Sequence, residues 1–371
     1  MRITAIHPTP LVVPLVQPYH WSSGEDEFAK LVLFTVETDA GVSGYGESIC
    51  DDPTATATYG RMIAESFVGR SPGAIEAILG DLWTRGRWRV TRRMTNQVLS
   101  GIEAACWDAQ GKALGVPAST FFGGCVREEV DFCGFIQGDA PDEVAVHARA
   151  LRDEGFGVLY LKAGLGLEKD VERIAAVREA IGDGPALRID ANEAWDVPTA
   201  VEQIRRLEAF GLDWVEQPVS GDNIRGLAQI RARVAAKIAA DNAVYSPGEL
   251  REVLQQEAAD VVVLAGHESG GMWRFRKMAY LAEVFGIPVN RKGYLESSIS
   301  TFAGLQVLAT VPNLTAGNQL THQLLAESLT TTPLPIRAGK ARVPDQPGLG
   351  FELDEDAVGR ASDRYRQLVT G

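Results

Sequence analysis

"ALRIDANEAWDVPTAVEQIRRLEAFGLDWVEQP", residues 186–218, holds two short apolar runs separated by a segment with helical apolar spacing. Leu187 to Ile189 and Trp214 to Val215 read as buried strands, and the pattern "AVEQIRRLEAFG" between them reads as a helix. Each apolar run ends on a carboxylate, Asp190 in the first and Glu216 in the second. An acid at the tip of a buried strand needs a reason, and that reason depends on whether other strands do the same.

The unit repeats in both directions. Strands are expected near 130–136, 157–164, 186–190, 212–218, 236–241, 260–266, 286–290 and 313–317, with amphipathic helical patterns in the gaps. A parallel sheet needs such crossover helices, and strict alternation of this kind predicts a parallel β/α barrel. Before it, "KLVLFTVETDAGVSGYGES", residues 30–48, alternates apolar and polar residues about a turn carrying Gly41, which predicts a hairpin. A helix follows over "NQVLSGIEAACWDAQGKALG", residues 96–115, stopped by Gly115 and Pro117. The region up to about residue 125 is therefore expected to be an α+β unit distinct from the barrel.

The 371 residues, 45% hydrophobic, are enough to bury a large core, and no apolar run reaches the length of a membrane span. The N-terminus lacks a signal-peptide pattern, so a cytoplasmic location is expected. A net charge of −13 argues against nucleic acid or an anionic membrane as partner. "TRGRWRVTRRM", residues 84–94, is a local exception, read as a solvated helix face or a subunit contact rather than a phosphate site. Cys50, Cys106, Cys125 and Cys133 form no CxxC and are expected to be reduced thiols, and the histidines lack metal-ligand spacing.

The barrel reading supplies the reason for the acids. Catalytic groups of such barrels sit at the carboxyl ends of the strands. The third, fourth and fifth expected strands end in Asp190, Glu216 and Asp241, one strand-helix unit apart. Three like charges aimed at one mouth oppose folding unless a cation compensates them. Oxygen-only ligands favour Mg²⁺, with Mn²⁺ as the alternative, over zinc. Lys162 ends the neighbouring second strand in "YLKAG", where a lysine serves as a base if positive neighbours and partial burial lower its pKa. A metal holding a substrate carboxylate would stabilise the enediolate left when the α-proton is removed.

Taken together, "ETDAGVSGYGE", "ACWDAQGKALGVP", "KAG", "RIDAN", "WVEQP", "AAD", the "SGG" glycines, "YLESS" and "VPDQPGLGFELD" resemble the enolase superfamily. Within it they are most similar to the mandelate racemase and muconate lactonizing enzyme family, nearest to the lactonizing branch. The resemblance implies a modified (β/α)7β TIM-type barrel with an α+β capping domain. It divides the chain into a cap over residues 1–125, a barrel with the metal site over 126–325, and a segment over 326–371 that completes the cap. It implies Asp190, Glu216 and Asp241 as Mg²⁺ ligands and Lys162 as an acid/base on one face of the substrate. It further implies Asn192 and Glu296 as groups near the substrate, a small carboxylic acid as that substrate, and a homo-oligomer.

The sequence also departs from the family pattern. Tyr160 stands where the lactonizing branch has the first lysine of Lys-x-Lys, and Ala265 stands where it has the opposite-face lysine. Lys292 falls where the racemase branch has its seventh-strand histidine and is the preferred replacement, with His267 as a second candidate. In the cap, residues 17–28 and 49–56 correspond to the loops that close over substrate, so His20 and Trp21 are expected to shape specificity, as is Tyr160 from the barrel. The expected activity is α-proton abstraction through an enediolate, giving racemisation, epimerisation or cycloisomerisation. Dehydration of a hydroxy acid is the alternative, and a metal-retaining, inactive carboxylate-binding protein is the alternative of another class.

Overall fold

The computed structural model describes residues 1–21, 24–84 and 92–370. Strands β1 (Ile3–Trp21), β2 (Gly24–Thr38) and β3 (Ser43–Ile49) form an antiparallel sheet in that order, the expected hairpin being its β2–β3 half. The helix Arg92–Leu114 lies on β3 at very short range. Gly44 and Gly46 permit this approach, because a Cβ on Gly46 would stand 2.2 Å from the Gly101 carbonyl and one on Gly44 2.1 Å from that of Ala105. The C-terminal helix Glu355–Thr370 packs on β1.

The remaining strands are β4 (Glu129–Asp131), β5 (Gly134–Phe135), β6 (Val158–Lys162), β7 (Ala186–Asp190), β8 (Leu212–Glu216), β9 (Lys237–Ala240), β10 (Val261–Leu264), β11 (Val289–Arg291) and β12 (Lys340–Arg342). β5 to β11 form one parallel sheet in chain order, each strand paired with its sequence neighbour. Right-handed crossover through the intervening helices makes this order the expected one. β4 instead pairs with β12 in a two-stranded antiparallel sheet.

The eighth stave, expected as a strand over 313–317, is a string of isolated bridges. Thr315 N donates to Val289 O, Gln319 N to Arg291 O, and Cys133 N to Asn318 O, so the segment still joins β11 to the chain just before β5. The Asn318 side chain supplies part of the missing ladder, accepting from Arg291 N at 2.9 Å and donating to Asp131 O at 3.0 Å. The fold is thus a modified TIM barrel with an α+β cap.

Alternation along β7 explains why charged residues belong in it. Leu187 and Ile189 join the main apolar core, while Arg188 packs over Trp214 at 3.4 Å. Its guanidinium donates to Asp213 and to the carbonyls of Gly317 and Ala316, which satisfies a charge that is 4% exposed. Asp190 shares the parity of Arg188 one step further on, at the mouth. The cysteines are free, as expected. Among the described residues no helix is long and apolar enough to cross a membrane.

Candidate active site

Parallel pairing sets the first row of the site. Lys162 is in register with Asp190, and Asp190 with Glu216, at the ends of β6, β7 and β8. Asp241 follows β9 directly. After two of these acids the chain turns through left-handed backbone, at Asn192 (φ 44°), Glu193 (φ 65°) and Gln217 (φ 35°). Such conformations cost about 1–3 kcal/mol each and need support from their surroundings. Here Asn192 N donates to Asp190 Oδ1 at 2.8 Å, and the Gln217 carboxamide accepts from Asp241 N at 2.9 Å and donates to Val219 O at 2.8 Å.

The acids open onto a cavity of about 420 Å³, within the range of small-molecule sites. Lys162, Tyr160, Asn192, Asp190, Glu216, Asp241 and Lys292 line its barrel side. Tyr19, Phe28, Lys30 and Asp51 line it from the cap, and Arg93 reaches it from the helix Arg92–Leu114. The side chains of His20 and Trp21 lie outside the described residues, as do residues 85–91 of the arginine-rich stretch.

Two lysines flank the acids. Lys162 Nζ donates to Asp190 Oδ2 at 2.6 Å and to Asn192 Oδ1 at 2.7 Å. Lys292 Nζ lies 2.9 Å from Asp241 Oδ2 and donates to Asn242 Oδ1 at 3.0 Å. The flanks therefore mirror each other, each lysine taking an outer acid and the asparagine just beyond it. Between them, Glu216 is 1% exposed and bonded by the Tyr160 hydroxyl at 3.1 Å and the Gln319 amide at 3.1 Å, with no direct ion pair among the described residues. The Tyr160 hydroxyl also donates to Asp190 Oδ2 at 2.6 Å.

The electrostatics follow from this packing. Burial, reinforced by the charges of Asp190 and Asp241, pushes the Glu216 carboxyl up to about 8. Burial also pushes Asp241 up to about 6, against the pull of Lys292. For Lys162, burial alone would lower the pKa, but Asp190 outweighs it and holds the ammonium above its ordinary value. The condition for a lowered pKa, a positive neighbour, is not met among the described side chains around it: Tyr160 rather than lysine stands two residues before it, and acids surround it. Lys292 is likewise raised, burial being outweighed by Asp241 and Glu268.

His267 and Glu296 do not line this cavity. They meet each other, His267 Nε2 to Glu296 Oε2 at 2.8 Å, with Arg291 2.6 Å from Glu296 Oε1. Arg291 in turn donates to the Gln319 carbonyl at 2.6 Å, directly behind the amide that bonds Glu216. Arg93 and Gln319 line the cavity, and Glu268 stands behind Lys292, 3.1 Å from its ammonium; sequence reasoning missed all three. The available signal for Glu268 was a carboxylate one helical turn beyond Ala265.

Among the described residues no group of three or more His, Cys, Asp or Glu side chains converges to chelate a metal, and lysine, tyrosine and glutamine donors take oxygens of Asp190 and Glu216. Their chemistry nevertheless suits a hard divalent cation. The donors are all oxygen, stand on three neighbouring strands, and include in Glu216 a buried acid with only neutral partners.

Known proteins agree with this architecture. Residues 5–123 match the mandelate racemase/muconate lactonizing enzyme N-terminal domain and residues 143–357 the enolase C-terminal domain-like family. The N-succinyl-L-Arg/Lys racemase of Bacillus cereus is 30% identical, covering 96% of this chain and 97% of its own. Muconate cycloisomerase 1 of Rhodococcus opacus is 29% identical, covering 96% and 98%. A dipeptide epimerase structure from Cytophaga hutchinsonii, complexed with Mg and the dipeptide D-Ala-L-Val, superimposes with a TM-score of 0.91 at 26% identity, covering 97% of this chain and 98% of that one. The chain belongs to the mandelate racemase/muconate lactonizing enzyme family of the enolase superfamily. It is an enzyme of the isomerase class.

Proposed function

We propose that the protein is a Mg²⁺-dependent isomerase that removes the α-proton of a small carboxylic acid on one face and returns a proton on the other. It acts as a racemase or epimerase, or as a cycloisomerase where a ring forms, and works as a homo-oligomer. The observation that carries this reading is the pair of lysines flanking one row of acids, Lys162 against Asp190 and Lys292 against Asp241.

Asp190, Glu216 and Asp241 are the residues that would hold Mg²⁺, with Mn²⁺ as a substitute. When bound, the cation supplies positive charge that stabilises the enediolate developing from the substrate carboxylate. Asp190 would be both a ligand of that cation and the partner of Lys162, 2.6 Å from its amine, and Lys162 is the group placed to accept the α-proton. Lys292, kept as an ammonium by Asp241 and Glu268, is the candidate donor on the opposite face. Asn192 orients Lys162, and Tyr160 holds the acids and the near side of the substrate. Tyr19, His20 and Trp21 shape the cap side. His267 and Glu296 act from behind the wall, fixing Arg291 and through it the Gln319 backbone.

The test is proton NMR in D₂O with Mg²⁺ over amino acids, N-acylated amino acids, proline derivatives, hydroxy acids and lactones. Loss of an α-proton signal is the expected result, and the product separates racemisation from ring closure or from elimination. In Lys292→Ala, racemisation is expected to fall by about 10²-fold or more while exchange into the starting epimer continues. Unchanged racemisation in that variant would end the role given to Lys292.

A further inference from the structure

Lys292 is shared between two carboxylates. Besides its 2.9 Å contact with Asp241 Oδ2, its ammonium stands 3.1 Å from Glu268 Oε2. Glu268 belongs to the single helical turn Gly266–Ser269 that follows β10, and it is 2% exposed. Its other oxygen, Oε1, lies 2.7 Å from Arg93. A chain of alternating charge thus runs from the acid row to the cap: Asp241, Lys292, Glu268, Arg93.

The far end of that chain is firmly built. The Arg93 guanidinium sits 5.8 Å from the ring centres of both Tyr245 and Tyr294 and donates to the Tyr294 hydroxyl at 2.9 Å. Asn96, one helical turn beyond Arg93, donates to the backbone carbonyls of Glu268 and Tyr245. The helix of the cap therefore fixes both the side chain and the backbone of Glu268. Lys292 carries its ammonium on a flexible four-carbon stem and divides it among Asp241, Glu268 and Asn242.

Removal of the Glu268 charge would leave Asp241 as the only carboxylate in contact with Lys292. A buried ammonium in that position holds the carboxylate strongly, since charges in a low-dielectric site interact far more than in water. Any cation using Asp241 would then have to displace the lysine. We propose that Glu268 is a positioning residue that draws Lys292 away from Asp241, leaving Asp241 open to a divalent cation, and that Arg93 holds Glu268 in place to do so. This inference rests on the cation site proposed above. It assigns to a cap helix a part in metal affinity, although that helix contributes no ligand.

The experiment is Mn²⁺ titration of the purified full chain, followed by electron paramagnetic resonance with Mg²⁺ competition, without substrate. Wild type is expected to bind one Mn²⁺ per chain. Glu268→Gln is expected to weaken binding by about tenfold, the effect of roughly one charge contact. Glu268→Asp retains most of the affinity, and Arg93→Ala loses less than Glu268→Gln. The decisive protein is the double variant Glu268→Gln/Lys292→Ala: with the competing ammonium gone, affinity should return to that of Lys292→Ala alone. Damage to the fold, or direct ligation by Glu268, would leave the double variant as weak as Glu268→Gln, and either that result or wild-type affinity in Glu268→Gln overturns the inference. Failure of the wild type to bind Mn²⁺ overturns the cation site itself, and the inference with it, at the first titration.

Discussion

Among the buried carboxylates, three in the barrel and two in the cap are not distinguished by burial. In the barrel, Asp190, Glu216 and Asp241 are 1–2% exposed; in the cap, Glu47 and Glu103 are 2% and 0% exposed. The difference lies in their partners. Glu47 is held by Ser297 N at 3.0 Å, the Ser297 hydroxyl and the Ser300 hydroxyl at 2.7 Å, and Glu103 by Trp107 Nε1 at 2.8 Å and Trp273 N at 2.9 Å. These donors are backbone groups, an indole and short hydroxyls fixed within the cap–barrel seam, so the acids act as bolts. The barrel acids are held by lysine, tyrosine and glutamine side chains that border a cavity and can exchange one partner for another. A buried acid thus reads as functional when its partners are replaceable and face open space, not because it is buried.

Exchanging one residue on each side of this contrast should give opposite signatures. The largest effect is expected from Lys162→Ala, which should lower α-proton exchange of any substrate found by about 10³-fold, with thermal stability little changed. Exchange rates in D₂O and a melting curve measure both. A variant that melts far below wild type would move Lys162 into the structural group. Glu47→Ala should do the reverse. It strips the acceptor from three donors and is expected to cost about 3 kcal/mol in urea denaturation, while Mn²⁺ affinity stays as in wild type. A loss of Mn²⁺ binding without loss of stability would erase the distinction.

The two sets also differ in how far the sequence exposes them. Asp190, Glu216 and Asp241 are legible because strand periodicity and regular β/α spacing put each at the same point of its unit, and Tyr160 is legible as a departure from a pattern. Glu268 and Arg93 are not, since one lies on a turn after β10 and the other on a cap helix far away in the chain. Nothing periodic relates them. His267 and Glu296 illustrate the opposite difficulty. The single helical turn after β10 directs His267 to Glu296, while its neighbour Glu268 faces Lys292. The eighth strand was legible in position but not in kind, because Asn318 replaces part of its ladder with a side chain.

The smallest expected effect concerns the seam itself. Burial pushes Glu103 up to about 7, against bonds from Trp107 and Trp273. Its Oε2 has no hydrogen-bond partner among the described residues and faces Gly271, where a Cβ would lie 1.4 Å away. An acid whose folded pKa exceeds its unfolded one binds its proton more tightly when folded. Its contribution is then complete below the unfolded pKa near 4.5 and disappears as pH rises through about 7. Wild type should therefore lose on the order of 2–3 kcal/mol from this group between pH 4.5 and 7.5, on top of the titration of all others. Glu103→Gln cannot ionise, so the difference in urea stability between it and wild type should shift in favour of the variant across that interval and stay flat above it. A difference independent of pH would mean that Glu103 titrates in the fold as it does in the unfolded chain, its hydrogen bonds offsetting the cost of burial.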